Sequence, residues 1–183
     1  ISQAVINSSY VTVGQALTVT CLQSIINGST LATTPAVELR WSSDAVWSPS
    51  TDALIGTSTS TLNATLSSET ETFTTTAPTT AGTYYLLFRG DVNNIVQESN
   101  ESNDVALAVV VNALPDLTLT SLNAGTSNPY VGQTLNLSGN QVLANGTGNT
   151  VTAILQYRFS TDAIWSSDDV VIGYDTSYVN SAT

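Results

Sequence analysis

Residues 41–47 read Trp-Ser-Ser-Asp-Ala-Val-Trp, and residues 159–165 read Phe-Ser-Thr-Asp-Ala-Ile-Trp. The two stretches lie 118 positions apart, and the same separation relates Val-Gly-Gln at 13–15 to Val-Gly-Gln at 131–133. This period exceeds the roughly 20–50 residues of a solenoid repeat and matches one small domain. The sequence therefore predicts tandem copies of a single domain, the second of them incomplete.

Around these stretches, apolar and polar residues alternate with a period of two. Val37, Leu39 and Trp41 alternate with Glu38 and Arg40. This pattern is typical of half-buried strands, and the abundant Val and Thr favour a pleated backbone. We predict strands at 10–13, 16–26, 36–42, 53–58, 61–66, 70–76, 82–90 and 104–111. Short strands at this spacing predict an all-β fold, an immunoglobulin-like sandwich of two sheets.

Two domains follow from the repeat. We predict a first sandwich at 1–112, lacking the start of its first strand, and the N-terminal part of a second sandwich at 113–183. Trp41 and its counterpart Phe159 are expected at the central core position of an early strand. Because no counterpart of 81–111 follows in the second copy, we expect a window onto a longer protein. The alternative is that a neighbouring subunit supplies the missing strands.

Two consecutive segments carry a family resemblance. Residues 81–88 read Ala-Gly-Thr-Tyr-Tyr-Leu-Leu-Phe, and residues 91–104 contain Glu-Ser-Asn-Glu-Ser-Asn-Asp at 98–104. Together they resemble the CARDB family, the cell-adhesion-related domain found in bacteria, and residues 115–119 and 160–165 resemble it as well. The resemblance implies an immunoglobulin-like sandwich. It leaves function open, because one fold serves many functions.

The composition excludes several function classes. The net charge is −11, although only 9% of the residues are charged, and the cations are three arginines. Such a chain has little with which to displace counterions from a phosphate backbone, so nucleic acid is not an expected partner. The absence of histidine excludes Ser-His-Asp and Cys-His relays, and we predict that this chain is not an enzyme. No apolar run approaches the roughly 20 residues that a membrane span needs.

Oxygen-bearing side chains gather in the connection after residue 90. Hard cations such as Ca²⁺ take six to eight oxygen ligands, and this connection offers carboxylates and amides. The candidate metal ligands are Asp91, Asn93, Glu98, Glu101, Asn103 and Asp104. The spacing is not that of an EF-hand. The alternative interpretation is a solvated acidic loop whose Asn and Asp side chains bond the backbone in turns.

Three other residue types have a structural interpretation, and the tryptophans have a binding interpretation as well. Trp47 and Trp165 either anchor a loop on the sandwich rim or stack on a sugar or a neighbouring subunit. Tyr84 is expected to bond backbone through its hydroxyl as a corner tyrosine. Cys21 lies in an alternating run and is expected in the core.

The sequence favours a structural or adhesive module of an exported bacterial surface or filament protein. In this hypothesis the module is a spacer and presentation unit at the cell surface. Its partners are neighbouring repeats or identical subunits in a fibre, with a surface or carbohydrate ligand as a further candidate. The rival hypothesis is a non-catalytic accessory module of a secreted hydrolase.

Overall fold

A computed structural model of the chain describes residues 1–8, 10–26, 32–62, 66–101, 104–145 and 150–180. These residues form strands and irregular connections, and no helix occurs among them. The chain divides into two compact units, Ile1–Ala113 and Leu114–Thr183, called here the first and second unit. The predicted all-β class is confirmed.

The described residues of the first unit form a sandwich of two sheets. The strands are β1 (Ser2–Ile6), β2 (Val11–Thr12), β3 (Ala16–Ile26), β4 (Ala36–Ser42), β5 (Ala53–Thr59), β6 (Leu66–Thr76), β7 (Gly82–Arg89) and β8 (Val105–Asn112). One sheet has the strand order β1-β3-β6, and the other has the order β2-β8-β7-β4-β5. All neighbours are antiparallel except β2 and β8, which run parallel.

The core of the first unit lies between the two sheets. Alternate residues of β3, β4 and β7 point inward, among them Val19, Leu39 and Phe88, which are fully buried. Full burial of one such side chain contributes about 1.5–3 kcal/mol. Trp41 is 9% exposed; its Nε1 donates a hydrogen bond to Thr75 Oγ1 at 3.1 Å. The predicted core position of Trp41 is confirmed.

The observed strands differ from the predicted ones at β1 and at β6. Ser2–Ile6 forms β1, which was not predicted, and pairs with β3 across a bulge. The predicted strand 70–76 is part of the longer strand β6, Leu66–Thr76. Of the predicted strand 61–66, Leu62 forms an isolated bridge to Thr33, and residues 63–65 lie outside the described residues. Alternation failed for β6 because its first residues are mostly polar. Its length comes instead from pairing with all eleven residues of β3.

The described residues of the second unit form two two-stranded sheets. One pairs β9 (Asp116–Asn123) with β10 (Ser138–Ala144), and the other pairs β11 (Thr150–Phe159) with β12 (Val170–Asn180). Phe159 is 56% exposed, so its predicted core position was wrong. In the first unit, strands β6 and β7 bring Thr75 and Tyr84 against the equivalent Trp41, and no such pair of strands occurs within 114–145 and 150–180.

Candidate functional site

Asp91 opens the acidic connection between β7 and β8. Its backbone lies in the left-handed region, with φ of 47°, and its side chain is buried. Oδ1 accepts a hydrogen bond from the Ile95 backbone N–H at 3.1 Å, and Oδ2 accepts one from Val96 at 2.8 Å. Both carboxylate oxygens therefore hold a turn, as the alternative to metal binding predicts.

Asn93 fastens the same connection to the sheet. Its Oδ1 accepts a hydrogen bond from the N–H of Ala36 at 3.1 Å, and the N–H of Val92 donates to the Ala36 carbonyl at 3.1 Å. Farther along, Glu101 Oε1 accepts the N–H of Glu98 at 3.0 Å. The two bonds to Ala36 fix the connection against the start of β4, and the Glu98–Glu101 bond holds a turn within it.

Asp104 has a different partner. Its Oδ1 accepts a hydrogen bond from Arg89 Nε at 2.9 Å, and its Oδ2 accepts one from Arg89 Nη2. This two-point pair raises the pKa of Arg89 above its ordinary value. Asn103, the remaining candidate, lies outside the described residues.

The acidic candidate ligands Asp91, Glu98, Glu101 and Asp104 lie in the described part of the chain. Among the described residues, no group of three or more His, Cys, Asp or Glu side chains could hold a metal ion. A cavity of about 30 Å³ does lie beside the connection, and Gln23, Asp91 and Glu98 are among its lining residues. Gln23 is 4% exposed and its Oε1 has no hydrogen-bond partner in the described part of the chain. Calcium binding stays a prediction.

The neighbouring β4–β5 loop carries Trp47, which is half-buried between two arginines. The guanidinium carbon of Arg89 lies 4.7 Å from the ring centroid and that of Arg40 lies 5.4 Å from it. Arg40 Nη1 also donates to the carbonyls of Pro49, at 3.2 Å, and Asp52, at 2.9 Å. Two cations over one indole hold the loop against the sheet, which favours the loop-anchor interpretation of Trp47.

The second unit repeats this loop. Arg158 lies 4.5 Å from the ring centroid of Trp165, and its Nη1 donates to the Ser166 carbonyl at 2.6 Å. The N–H of Ser166 donates to Asp169 Oδ2 at 2.8 Å, which lowers the pKa of Asp169. Trp165 is 64% exposed. All three arginines of the chain therefore lie over a tryptophan.

Smaller details of the two loops also correspond. Asp44 Oδ1 accepts the N–H of Val46 at 2.8 Å, and Asp162 Oδ1 accepts the N–H of Ile164 at 2.8 Å. Before each loop the pairing register slips just ahead of the arginine, between residues 39 and 40 and between residues 157 and 158. Sequence similarity at 41–47 and 159–165 thus corresponds to the same local structure.

Sequence reasoning identified Trp47 but not the arginines that hold it. Arg40 and Arg89 occupy strand positions that alternation assigns only to the solvent face. Both contact Trp47 only because β4 pairs with β7, where Glu38 lies opposite Arg89. Tyr84 is placed as expected, with its hydroxyl donating to the Thr80 carbonyl at 3.1 Å.

The family model CARDB matches residues 3–108, and the chain belongs to this family. The family is non-catalytic and adhesion-related. The described residues include no helix long and apolar enough to cross a bilayer.

Two solved structures of one CARDB domain, from a Pyrococcus furiosus protein, are similar to this chain at 21% identity. A crystal structure of it, described as a complex with di-metal ions, has a TM-score of 0.43 and covers 58% of this chain and 83% of its own. A solution NMR structure has a TM-score of 0.44 and covers 58% of this chain and 89% of its own. No curated protein matches the chain.

Proposed function

We propose that this chain is a spacer and presentation module of an exported bacterial surface or filament protein. The observation that carries the proposal is the recurrence of one loop, with its arginine, tryptophan and aspartate contacts, 118 positions apart. Recurrence of a detailed hydrogen-bond set supports a second CARDB domain beginning after Ala113. Partners in this proposal are neighbouring repeats or identical subunits.

The contacts of the candidate loops support a structural role. The carboxylates of Asp91, Asp44 and Asp162 accept backbone N–H groups, and Asp104 pairs with Arg89. Each group fixes a turn or a loop on the sandwich. A module whose polar side chains rigidify its own connections is suited to keep its shape within an extended chain.

A domain exchange in the native protein tests the spacer role. Residues 1–113 are replaced by an unrelated β-sandwich of similar length, and in a second strain they are deleted. Surface attachment of the cells is then measured. A spacer predicts that attachment survives the exchange and falls on deletion. Loss of attachment after the exchange, with normal surface levels of the protein, contradicts the proposal and indicates a specific binding surface.

Exposed Trp165 favours the rival function, an accessory module of a secreted hydrolase that binds carbohydrate. An exposed indole over Arg158 offers a flat apolar ring on which a sugar can stack. The test is titration with soluble polysaccharides, followed by tryptophan fluorescence. Binding that disappears in Trp165→Ala and persists in Trp47→Ala supports this function, and no binding to any polysaccharide tested counts against it.

We also propose that Ca²⁺ occupies the small cavity beside Asp91. The buried Oε1 of Gln23 supports this, because a buried acceptor without a partner is costly and a cation satisfies it. A ligand that binds only the folded state stabilises it by about 2.7 kcal/mol at 100 times its Kd. Added Ca²⁺ should raise Tm relative to chelator in the wild type and not in Gln23→Leu. Equal Tm values with calcium and with chelator contradict the proposal.

A further inference from the structure

Strand β8 has an incompletely paired edge. Its partner β2 pairs only with Val111 and Asn112. Within the described residues of the first unit, no strand pairs with residues 105–110 on that side. Unpaired N–H and C=O groups along a strand edge are a template for another strand.

A groove of about 490 Å³ runs between this edge and β1. Ala4 and Ile6 on one side and Leu107 on the other line it, and all three are core-facing residues that are only partly buried. One strand lying in the groove would pair with the edge of β8 and cover these apolar side chains. The binding mode would be strand addition, in which the backbone supplies affinity and the side chains supply fit.

The edge also lacks the usual protection against pairing. Natural edge strands carry lysine, proline or inward-pointing charges, which discourage association. Residues 105–112 read Val-Ala-Leu-Ala-Val-Val-Val-Asn and include neither a charge nor a proline. In a chain of net charge −11, an uncharged edge accepts an uncharged strand far more readily than an acidic one.

We propose that the occupant of this groove is strand β9 of a second copy of the chain. All eight residues of β9 are exposed, and β10 pairs with one of its edges only, in the described part of the second unit. Leu117 and Leu119 alternate along β9 and are among the exposed apolar side chains. Residues 117–123 carry no charge. Strand β9 and the unpaired edge of β8 thus both carry alternating apolar residues, and residues 117–123 and 105–112 are both uncharged.

Because the donor strand and the acceptor edge are different surfaces, the contact is heterologous. A row of any length keeps one free donor strand at one end and one free acceptor edge at the other, so association grows head to tail rather than closing as a symmetric dimer. This inference goes beyond the proposed spacer role and does not depend on it. A chain that stays monomeric overturns the inference without affecting the domain exchange described above.

Sedimentation velocity over a range of concentrations tests the inference with the 183-residue chain. Val110→Lys places a charge on the acceptor edge at a residue that is 59% exposed, and Leu119→Lys places one on the donor strand. Ala108→Lys is a second acceptor variant at an exposed residue of the groove. The matched control is Val46→Lys, which adds the same charge at an exposed loop position. Circular dichroism checks that each variant is folded.

The wild type and Val46→Lys should gain mass as concentration rises, whereas each edge variant should remain a monomer. An equimolar mixture of Val110→Lys and Leu119→Lys should form a species of two chains and no larger one, since only one intact donor–acceptor pair remains. A monomeric wild type, or association unchanged in folded Val110→Lys and Ala108→Lys, overturns the inference. If Leu119→Lys associates with itself as the wild type does, β9 is not the occupant of the groove.

Discussion

Trp41 and Phe159 occupy the same position of the repeat in different surroundings. The Trp41 indole is buried against Tyr84, with ring centroids 6.3 Å apart and nearly perpendicular planes, whereas Phe159 is largely exposed. Removal of a buried aromatic side chain costs about 3–5 kcal/mol. Alternation predicts the inward direction of both side chains, and only the covering strands decide which becomes buried.

Trp41→Ala should lower the free energy of unfolding of the first unit by about 3–5 kcal/mol, measured by urea denaturation. Phe159→Ala is the matched control and should change stability by less than about 1 kcal/mol, because its ring already contacts water. Equal losses of unfolding free energy in the two variants would contradict the structure, in which Trp41 is buried and Phe159 is largely exposed.

Cys21 gives a pH-dependent prediction. Burial, followed by the nearby charge of Glu71, raises the pKa of this thiol from 9.0 to about 11. The unfolded chain therefore loses this proton first as pH rises, so the folded state binds more protons between about pH 9 and 11. Stability should fall across that window, and Cys21→Ala should remove this part of the fall. Urea denaturation at several pH values measures it, and an unchanged slope in Cys21→Ala contradicts the assignment.

At the scale of elements, the sequence predicted the strands in which apolar and polar side chains alternate. It did not predict the full length of β6, which is set by hydrogen bonding to the neighbouring strand β3. Strands β3, β4, β7 and β8 were predicted close to their observed bounds because one face of each is apolar. Strand β6 begins with Leu-Ser-Ser-Glu-Thr and has no such face at its start. The acidic connection was predicted as a set of oxygen ligands or as a turn, and Asp91 is placed in the turn geometry. Which side chain accepts which N–H depends on backbone directions that residue types do not specify.

The β4–β5 loop is held by arginines, which gives a prediction for Arg89→Ala. The substitution removes the cation over Trp47 and the pair with Asp104. Each interaction is partly exposed, so the combined loss should be about 1–2 kcal/mol in urea denaturation, with faster amide exchange in residues 44–52. Arg89→Lys keeps a cation but not the two-point geometry of the arginine. Its free energy of unfolding should therefore lie between those of the wild type and Arg89→Ala. A loop that exchanges at the wild-type rate in Arg89→Ala would contradict the anchoring role.

At the scale of the whole molecule, the two units differ in how well they cover their apolar side chains. The described residues of the first unit include a continuous core of thirteen buried apolar residues, from Val11 to Val111. In the described part of the second unit, the buried apolar residues are Leu143, Ala153 and Leu155, while Leu122, Phe159 and Ile172 line an open cavity of about 400 Å³. The incompleteness of the second copy stays a prediction from the sequence.

Amide hydrogen exchange of the 183-residue chain should therefore show different free energies of opening in the two units. Amides of β3, β4 and β7 should exchange only through global unfolding, whereas those of β9 to β12 should exchange through local opening at much lower free energy.

Residues 114–183 alone should melt without a sharp transition. A single cooperative transition of that segment would contradict the assignment of an incompletely covered second unit.

Electron cryotomography of the native protein at the cell surface tests the central claim most directly. Tandem CARDB domains acting as spacers predict a row of β-sandwich units of equal size along one chain or fibre, with the sandwich of residues 1–113 fitting successive units. A sandwich that appears once, attached to a larger globular body of different architecture, would contradict the claim and favour the accessory module.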